Sequence, residues 1–175
     1  MEYKTRIYPQ FSACGLNCGL CSRHYTVGSS RCPGCGGEGF EQKRPSCGMI
    51  TCCVKKKGLE VCGECGDYPC EKFDKFTGCG DSFVSHQKML PNHEIIKGKG
   101  LNAFLEQQAK RIMFLETALR EHNDGRSKSF YCIAAALLSI DGLNHALMLA
   151  EQGEPLKEVL IRIAETEGQE LKLRK

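Results

Sequence analysis

The chain has 175 residues, with 24 Lys and Arg against 21 Asp and Glu and with 13 cysteines. This length allows one medium domain or two small ones, and no stretch approaches the ~18 apolar residues of a membrane-spanning helix. The first dozen residues contain no apolar run of the signal-peptide kind, so we expect a cytoplasmic protein with no membrane partner. Reduced thiols in that compartment favour metal binding over disulfides.

The formal net charge of +3 does not predict a nucleic-acid-binding protein. Residues 1–80 carry 11 Lys and Arg against 8 Asp and Glu, and residues 81–175 carry 13 of each. A zinc ion held by four thiolates adds about −2, so two such sites would turn the total to roughly −1. Lys55, Lys56 and Lys57 form a local positive patch rather than a basic surface.

Eleven of the 13 cysteines lie between Cys14 and Cys70, mostly in pairs with the spacing of metal ligands. Glycine is frequent here and no long apolar periodicity occurs, so bound metal should stabilise this part in place of a large core. We predict a cysteine-rich metal-binding domain at residues 1–80, with a small α+β or irregular, treble-clef-like fold containing zinc knuckles. The candidate ligands are Cys14, Cys18, Cys21, Cys32, Cys35, Cys47, Cys52, Cys53, Cys62, Cys65 and Cys70.

The clearest group of ligands is Cys18-x2-Cys21 followed by Cys32-x2-Cys35, a pair of pairs that rarely occurs by chance. Four thiolates around zinc make a closed tetrahedral site, which stabilises a fold rather than catalysing a reaction. The Cys32–Cys35 pair could instead be a redox-active C-x2-C. That alternative is disfavoured because such a motif normally follows a strand and begins a helix.

A second group is expected around the knuckle Cys62-Gly63-Glu64-Cys65. Pro69 favours a helix start that presents Cys70 as the third ligand, in the manner of a treble clef. The fourth ligand is one of Cys47, Cys52 and Cys53, and the adjacent pair can hardly bind the same ion together. The chain is therefore expected to bind two zinc ions.

Iron–sulfur clusters are the alternative cofactor, since they too are held by thiolates. Cys14-x3-Cys18-x2-Cys21 matches the loop of radical enzymes that use S-adenosylmethionine, but the partial barrel those enzymes need is not predicted here. A simpler iron–sulfur protein is the stronger form of this alternative, although the ferredoxin run C-x2-C-x2-C-x3-C-P is absent.

The other ligand-type side chains are interpreted as structural. None of the five histidines has a partner at ligand spacing; they are His24, His86, His93, His122 and His145. Only His24, three residues after Cys21, is near enough in sequence to replace a cysteine as a ligand. Cys132 lies in an apolar stretch and is expected to be a small core side chain, and Cys79 is expected to be spare.

Residues 81–175 are predicted to form an all-α helical bundle, joined by a polar linker at about residues 81–100 that contains Pro91. Apolar spacing predicts four helices. The first begins near Leu101 and ends before Asn123; the others run from Phe130 to Ser139 after a Ser129 cap, from an Asp141 cap to about Gln152, and from Leu156 to before Gly168.

Three motifs together resemble a cysteine-rich prokaryotic family of unknown function. They are Cys14-Gly15-Leu16-Asn17-Cys18-x2-Cys21, a later Cys-x2-Cys, and Lys57-Gly58-Leu59-Glu60-x-Cys62-x2-Cys65-x2-Tyr68-Pro69-Cys70-Glu71. The resemblance covers about the first 75 residues and implies zinc binding with no assigned activity. It places the recurring cysteines at Cys14, Cys18, Cys21, Cys32, Cys35, Cys53, Cys62, Cys65 and Cys70, and so favours Cys53 as the fourth ligand of the second group.

Three function classes follow from these observations. The first is a non-catalytic zinc module that acts in interaction or regulation with a protein partner. The second is an iron–sulfur electron-transfer protein or redox sensor. The third is a metal-dependent enzyme, in which one zinc has a labile ligand because eleven sulfurs are available for eight positions.

Overall fold

The computed structural model describes residues 5–43, 47–76 and 80–175, so the prediction for Cys79 lies outside the described residues. Short helical turns follow one another in the cysteine-rich part: Cys18–Leu20, α1 (Phe40–Lys43), Ile50–Lys56, Cys62–Glu64 and Glu71–Phe76. Longer helices make up the rest: α2 (Met89–Glu121), α3 (Lys128–Leu137), α4 (Ile140–Glu151) and α5 (Leu156–Thr166).

The predicted α+β character of the cysteine-rich part is wrong, because the described residues contain no β-strand. Its backbone hydrogen bonds instead close tight turns, such as Cys21 N to Cys18 O at 3.2 Å and Cys65 N to Cys62 O at 3.0 Å. Glycines and closely spaced cysteines leave no run of alternating apolar residues from which a sheet could be built. The irregular alternative in the prediction describes this part correctly.

The predicted helical bundle is confirmed, with α3 as its buried central element. Residues Ala134–Leu138 are at most 3% exposed, and α3 packs against both α2 and α5. Its three alanines allow the neighbouring helices to approach closely. Burying this apolar surface stabilises the bundle by the hydrophobic effect.

The helix boundaries agree with the prediction more closely than the caps do. The predicted helix from Leu156 to before Gly168 corresponds to α5, and Gly168 has the left-handed φ of 63° that commonly ends a helix. The α4 cap is Ser139, whose Oγ accepts a hydrogen bond from Gly142 N at 2.9 Å, and not Asp141. Ser129 lies inside α3 and does not cap it.

The segment predicted to be a flexible linker is helical from Met89 onward. Pro91 lies in the first turn of α2, where its missing N–H removes no helical hydrogen bond. Gly100, with φ of 85° and ψ of 162°, breaks the helical path and bends α2. The part of α2 before this bend packs on the cysteine-rich part. The part after it packs on α3 and α4 and also contacts the cysteine-rich part, for example through Phe104 and Ile112. The division into domains at residue 80 remains a prediction.

Within the described ranges, no helix has both the length and the apolar character that crossing a membrane requires.

Candidate metal centre

The loop between the first two candidate ligands, Cys14 and Cys18, is fixed against α2. Asn92 Nδ2 donates hydrogen bonds to Gly15 O and to Asn17 Oδ1, both at 2.8 Å and both buried. Gly15 has a φ of 93°, and a Cβ at this position would stand 2.3 Å from Met89 O. The glycine and the asparagine of the Cys-Gly-Leu-Asn-Cys motif are therefore needed for docking on the helix.

Two Cys-Gly-x-Cys turns, Cys18–Cys21 and Cys62–Cys65, share one local structure. Each begins with a three-residue 3-10 helix and ends with an extended second cysteine. Each also rests on α2 through its glycine: a Cβ on Gly19 would stand 3.0 Å from Ile112 Cδ1, and one on Gly63 would stand 2.8 Å from His93 Nδ1. A single helix thus positions a cysteine pair from each predicted ligand group.

The third cysteine pair, Cys32 and Cys35, is positioned by the N-terminal segment. Cys35 N donates to Pro9 O at 2.7 Å, and Arg6 N donates to Gly36 O at 2.9 Å. The buried guanidinium of Arg6 donates to Cys35 O at 3.0 Å and to Glu60 O at 2.6 Å. Arg6 therefore ties the first ligand group to the chain that leads into the second.

The second predicted ligand group lines one cavity of about 180 Å³. Cys62 and Cys65 line it from their turn. Cys70, which directly precedes the helical turn Glu71–Phe76, and Cys53, which lies in the helical turn Ile50–Lys56, line it as well. The adjacent Cys52 lines the same cavity as a fifth sulfur, whereas Cys47 does not. The remaining wall combines apolar and charged side chains, namely Met49, Tyr68 and Phe73 with Lys57, Asp67, Glu71 and Lys72.

Cys53 and Cys62 interact directly within this group. A hydrogen bond shared by their side chains lowers the pKa of the Cys53 thiol and raises the pKa of the Cys62 thiol. The positive charge of Arg6 also lowers the pKa of Cys53. Of the two thiols, Cys53 therefore loses its proton more readily, and deprotonation is what metal binding requires of a cysteine.

The four cysteines of the first predicted group lie close enough to affect one another. Burial raises the pKa of the Cys18 thiol, and the thiols of Cys35, Cys21 and Cys32 raise it further. Burial likewise raises the pKa of Cys35 to about 11. A bound divalent ion would favour the thiolate form of these side chains.

Cys14 and Cys47 lie between the two groups. Cys14 is one of the neighbours that raise the pKa of both Cys18 and Cys62, and Cys47 raises the pKa of Cys14. The Cys14 thiol also shares a hydrogen bond of 3.1 Å with Ser12 Oγ. Neither cysteine is set apart as the ligand of one group, so their assignment remains a prediction.

The donor set fits a thiophilic metal, but the described side chains do not form a closed metal site. In residues 5–43, 47–76 and 80–175, no three His, Cys, Asp or Glu side chains are grouped so that they could hold one ion. The fit therefore rests on donor chemistry and on the shared cavity. Cysteine side chains would have to rotate inward to bring four sulfurs to about 2.3 Å from a zinc ion.

His93 is a residue of this region that the sequence analysis interpreted only as a packing residue. Its ring is fully buried, in contact with Phe11, Tyr68 and Phe73, and neither ring nitrogen has a hydrogen-bond partner among the described residues. Burial lowers its pKa to about 4, so the ring is neutral at pH 7. Nothing in the sequence indicates that His93 is fully buried, because it falls in the segment interpreted as a linker.

Lys57 is a second residue whose role the sequence did not indicate. It was interpreted as one member of a positive patch, yet its Nζ donates a hydrogen bond to Cys65 Sγ at 3.0 Å and pairs with the Asp67 carboxylate. His24, the suggested substitute ligand, instead places its Nδ1 3.0 Å from Cys32 O. Cys132 is buried in the helical core, as expected for a packing side chain.

These features define a cysteine-rich segment that has no strand in its described residues and that packs on the first helix of an α-helical bundle. Residues 10–75 match the family model described as "Protein of unknown function (DUF3795)". The match confirms the resemblance found in the sequence, covers less than half of the chain, and includes all eleven candidate ligands. Comparisons with curated proteins and with solved structures find no match.

Proposed function

We propose that this chain is a zinc-binding protein with two structural four-cysteine sites, and that it acts without catalysis as an interaction or regulatory module. The observation that carries the proposal is the shared cavity lined by Cys53, Cys62, Cys65 and Cys70. The sequence had grouped Cys62, Cys65 and Cys70, and the family resemblance favoured Cys53 as the fourth ligand. Four thiolates complete the tetrahedral shell of zinc and leave no open position for a substrate.

The first site in this proposal consists of Cys18, Cys21, Cys32 and Cys35. Its support is the mutual influence of these thiols together with the turns that bring them into one region. Zinc bound there would supply folding free energy, on the order of 10 kcal/mol for a structural ion. The partner we propose is another protein, because the charge balance of the chain gives no generally basic surface.

Elemental analysis of purified, reduced protein tests the metal content. We expect about two zinc ions per chain. The variant Cys70→Ser should retain close to one ion, and the control Cys132→Ser should retain both, because Cys132 is buried in the helical core. Full zinc content with normal affinity in Cys70→Ser would show that the ligand assignment is wrong.

An iron–sulfur electron-transfer protein or redox sensor is a second candidate, supported by the size of the cavity. Sulfurs around one zinc ion touch one another, whereas a cluster places iron and sulfide between the thiolates and holds them further apart. A cavity of about 180 Å³ among five cysteines suits the larger group. Iron, acid-labile sulfide and visible absorbance after anaerobic purification would favour this candidate over zinc.

A further inference from the structure

Lys57 lies at the junction of two segments that supply candidate ligands to the cavity. It directly follows the helical turn Ile50–Lys56, which carries Cys53, and its backbone N donates to Cys52 O at 3.1 Å. Gly58, with a left-handed φ of 67°, then turns the chain away. The Lys57 side chain spans the gap to the second segment, where Nζ donates to Cys65 Sγ at 3.0 Å.

The Lys57 ammonium group is also bound by the carboxylate of Asp67, whose Oδ2 lies 3.9 Å from Cys65 Sγ, so the three side chains form one cluster. Their ion pair directs Nζ toward the rim of the cavity that both residues help to line. The contacts with Asp67 and Cys65 together fix the position of Nζ beside the sulfur. An ammonium N–H donor stabilises negative charge on a sulfur that is bound to metal.

A zinc ion with four thiolates carries a net charge of about −2. Hydrogen bonds and positive charges outside the ligand shell offset this charge and fix the orientation of the ligands. Lys57 is suited to both tasks because it contacts a candidate ligand directly.

We propose that Lys57 is a positioning residue of the second zinc site, which holds Cys65 in its ligating orientation and offsets the charge of the four-thiolate centre. This inference rests on the proposed zinc-binding function. It assigns a specific role to one lysine of the three-lysine run and uses Lys56 as the comparison residue.

The test compares Lys57→Gln with Lys56→Gln in the full-length protein. Both variants remove one positive charge from an exposed lysine in the same part of the chain. Zinc affinity is measured by competition with a chromogenic chelator. We expect Lys57→Gln to weaken the binding of one of the two ions by about 10-fold or more. Lys56→Gln should leave both affinities within a factor of about two, because it touches no ligand. Lys57→Arg should restore most of the affinity, since Arg keeps the charge and the N–H donors.

A spectroscopic readout separates positioning from a loss of stability. In cobalt-substituted protein, loss of the hydrogen bond to Cys65 Sγ should shift the thiolate-to-cobalt absorption band in Lys57→Gln but not in Lys56→Gln. Two zinc ions bound with unchanged affinity in Lys57→Gln would overturn this inference and leave the proposed function intact. Equal weakening in both variants would also overturn it, as an unspecific charge effect. Wild-type protein that binds no zinc would overturn the proposed function and this inference together.

Discussion

Gly15 shows how one small residue controls the position of a candidate ligand. It lies directly after Cys14, has a left-handed φ, and leaves no room for a side chain against Met89 O and His93 Nε2. Gly28 has a similar φ of 84°, but nothing lies within 4 Å of where its Cβ would be. Substitutions at these two glycines can therefore distinguish the cost of a strained φ from the cost of steric overlap between a new Cβ and α2.

We expect Gly15→Ala to destabilise the protein by about 2 kcal/mol more than Gly28→Ala. The strained φ costs both variants roughly 1 kcal/mol, and only Gly15→Ala adds an overlap with the helix backbone. Urea unfolding followed by the near-ultraviolet dichroism of the tyrosines measures the difference. Equal destabilisation of the two variants would mean that the loop moves freely away from α2.

Most of the cysteines that line the cavity could be predicted from the sequence, but the residues that contact them could not. The spacing and Pro69 grouped Cys62, Cys65 and Cys70, and left the fourth member open among Cys47, Cys52 and Cys53. Lys57, Asn92 and His93 act through contacts with residues far away in sequence or across a turn. Nothing in their local sequence indicates those contacts.

Among the elements, α2 contributes most to the arrangement of the molecule. Beyond its bend, Arg111 reaches the C-terminal end of α3, where its Nη1 donates to Ala135 O at 2.7 Å and to Leu138 O at 2.6 Å. These carbonyls belong to the last turn and cap of α3, which have no partners within the helix. A buried cation from one helix thus caps the C-terminus of another.

Arg111→Met is expected to lower the free energy of unfolding of the helical bundle by about 2–3 kcal/mol. Methionine fills a similar volume, but it leaves two buried carbonyls without donors. Lys110→Met, which changes the neighbouring exposed residue, should alter the stability by less than about 0.5 kcal/mol. Urea titration followed by far-ultraviolet dichroism compares the two variants, and similar stabilities would argue against this capping role.

The presence of the helices could be predicted from apolar periodicity. The residue at which a helix begins was harder to predict, because more than one nearby side chain could act as its N-cap. Ser139 and Asp141 are both good cap residues, and the choice between them is made by Glu167, which accepts a hydrogen bond from Ser139 N at 2.9 Å. The first half of α2 was missed because Pro91 and the lysines and glycines at 97–100 suggest a loop. Burial of Ile96 and His93 against the cysteine-rich part overrides that local preference.

At the scale of the whole molecule, the cysteine-rich part and the bundle share α2 and should respond differently to metal removal. The apolar side chains of the cysteine-rich part form separate small clusters, while the bundle has one large continuous core. We expect chelation to unfold residues 14–76 and the part of α2 before Gly100, and to leave α3, α4 and α5 formed. Far-ultraviolet dichroism should therefore lose only a minor share of its helical signal.

Limited proteolysis after chelation is a second test of this expected partial unfolding. New cleavage sites should appear in the cysteine-rich part, while a fragment that contains the bundle resists digestion. Loss of nearly all helical signal would show that the two parts unfold as one cooperative unit. An unchanged cleavage pattern would show that metal is not needed for the fold.

The two Cys-Gly-x-Cys turns rest on the same helix at His93 and Ile112, on opposite sides of the bend at Gly100. Each residue of a helix advances the side-chain direction by about 100°, so an insertion or deletion of one residue between these contacts would turn one of them away from its glycine. The number of residues between positions 93 and 112 is therefore constrained by the two contacts. The loop around Val27, which is 94% exposed, has no such constraint and is where the chain could change length during evolution.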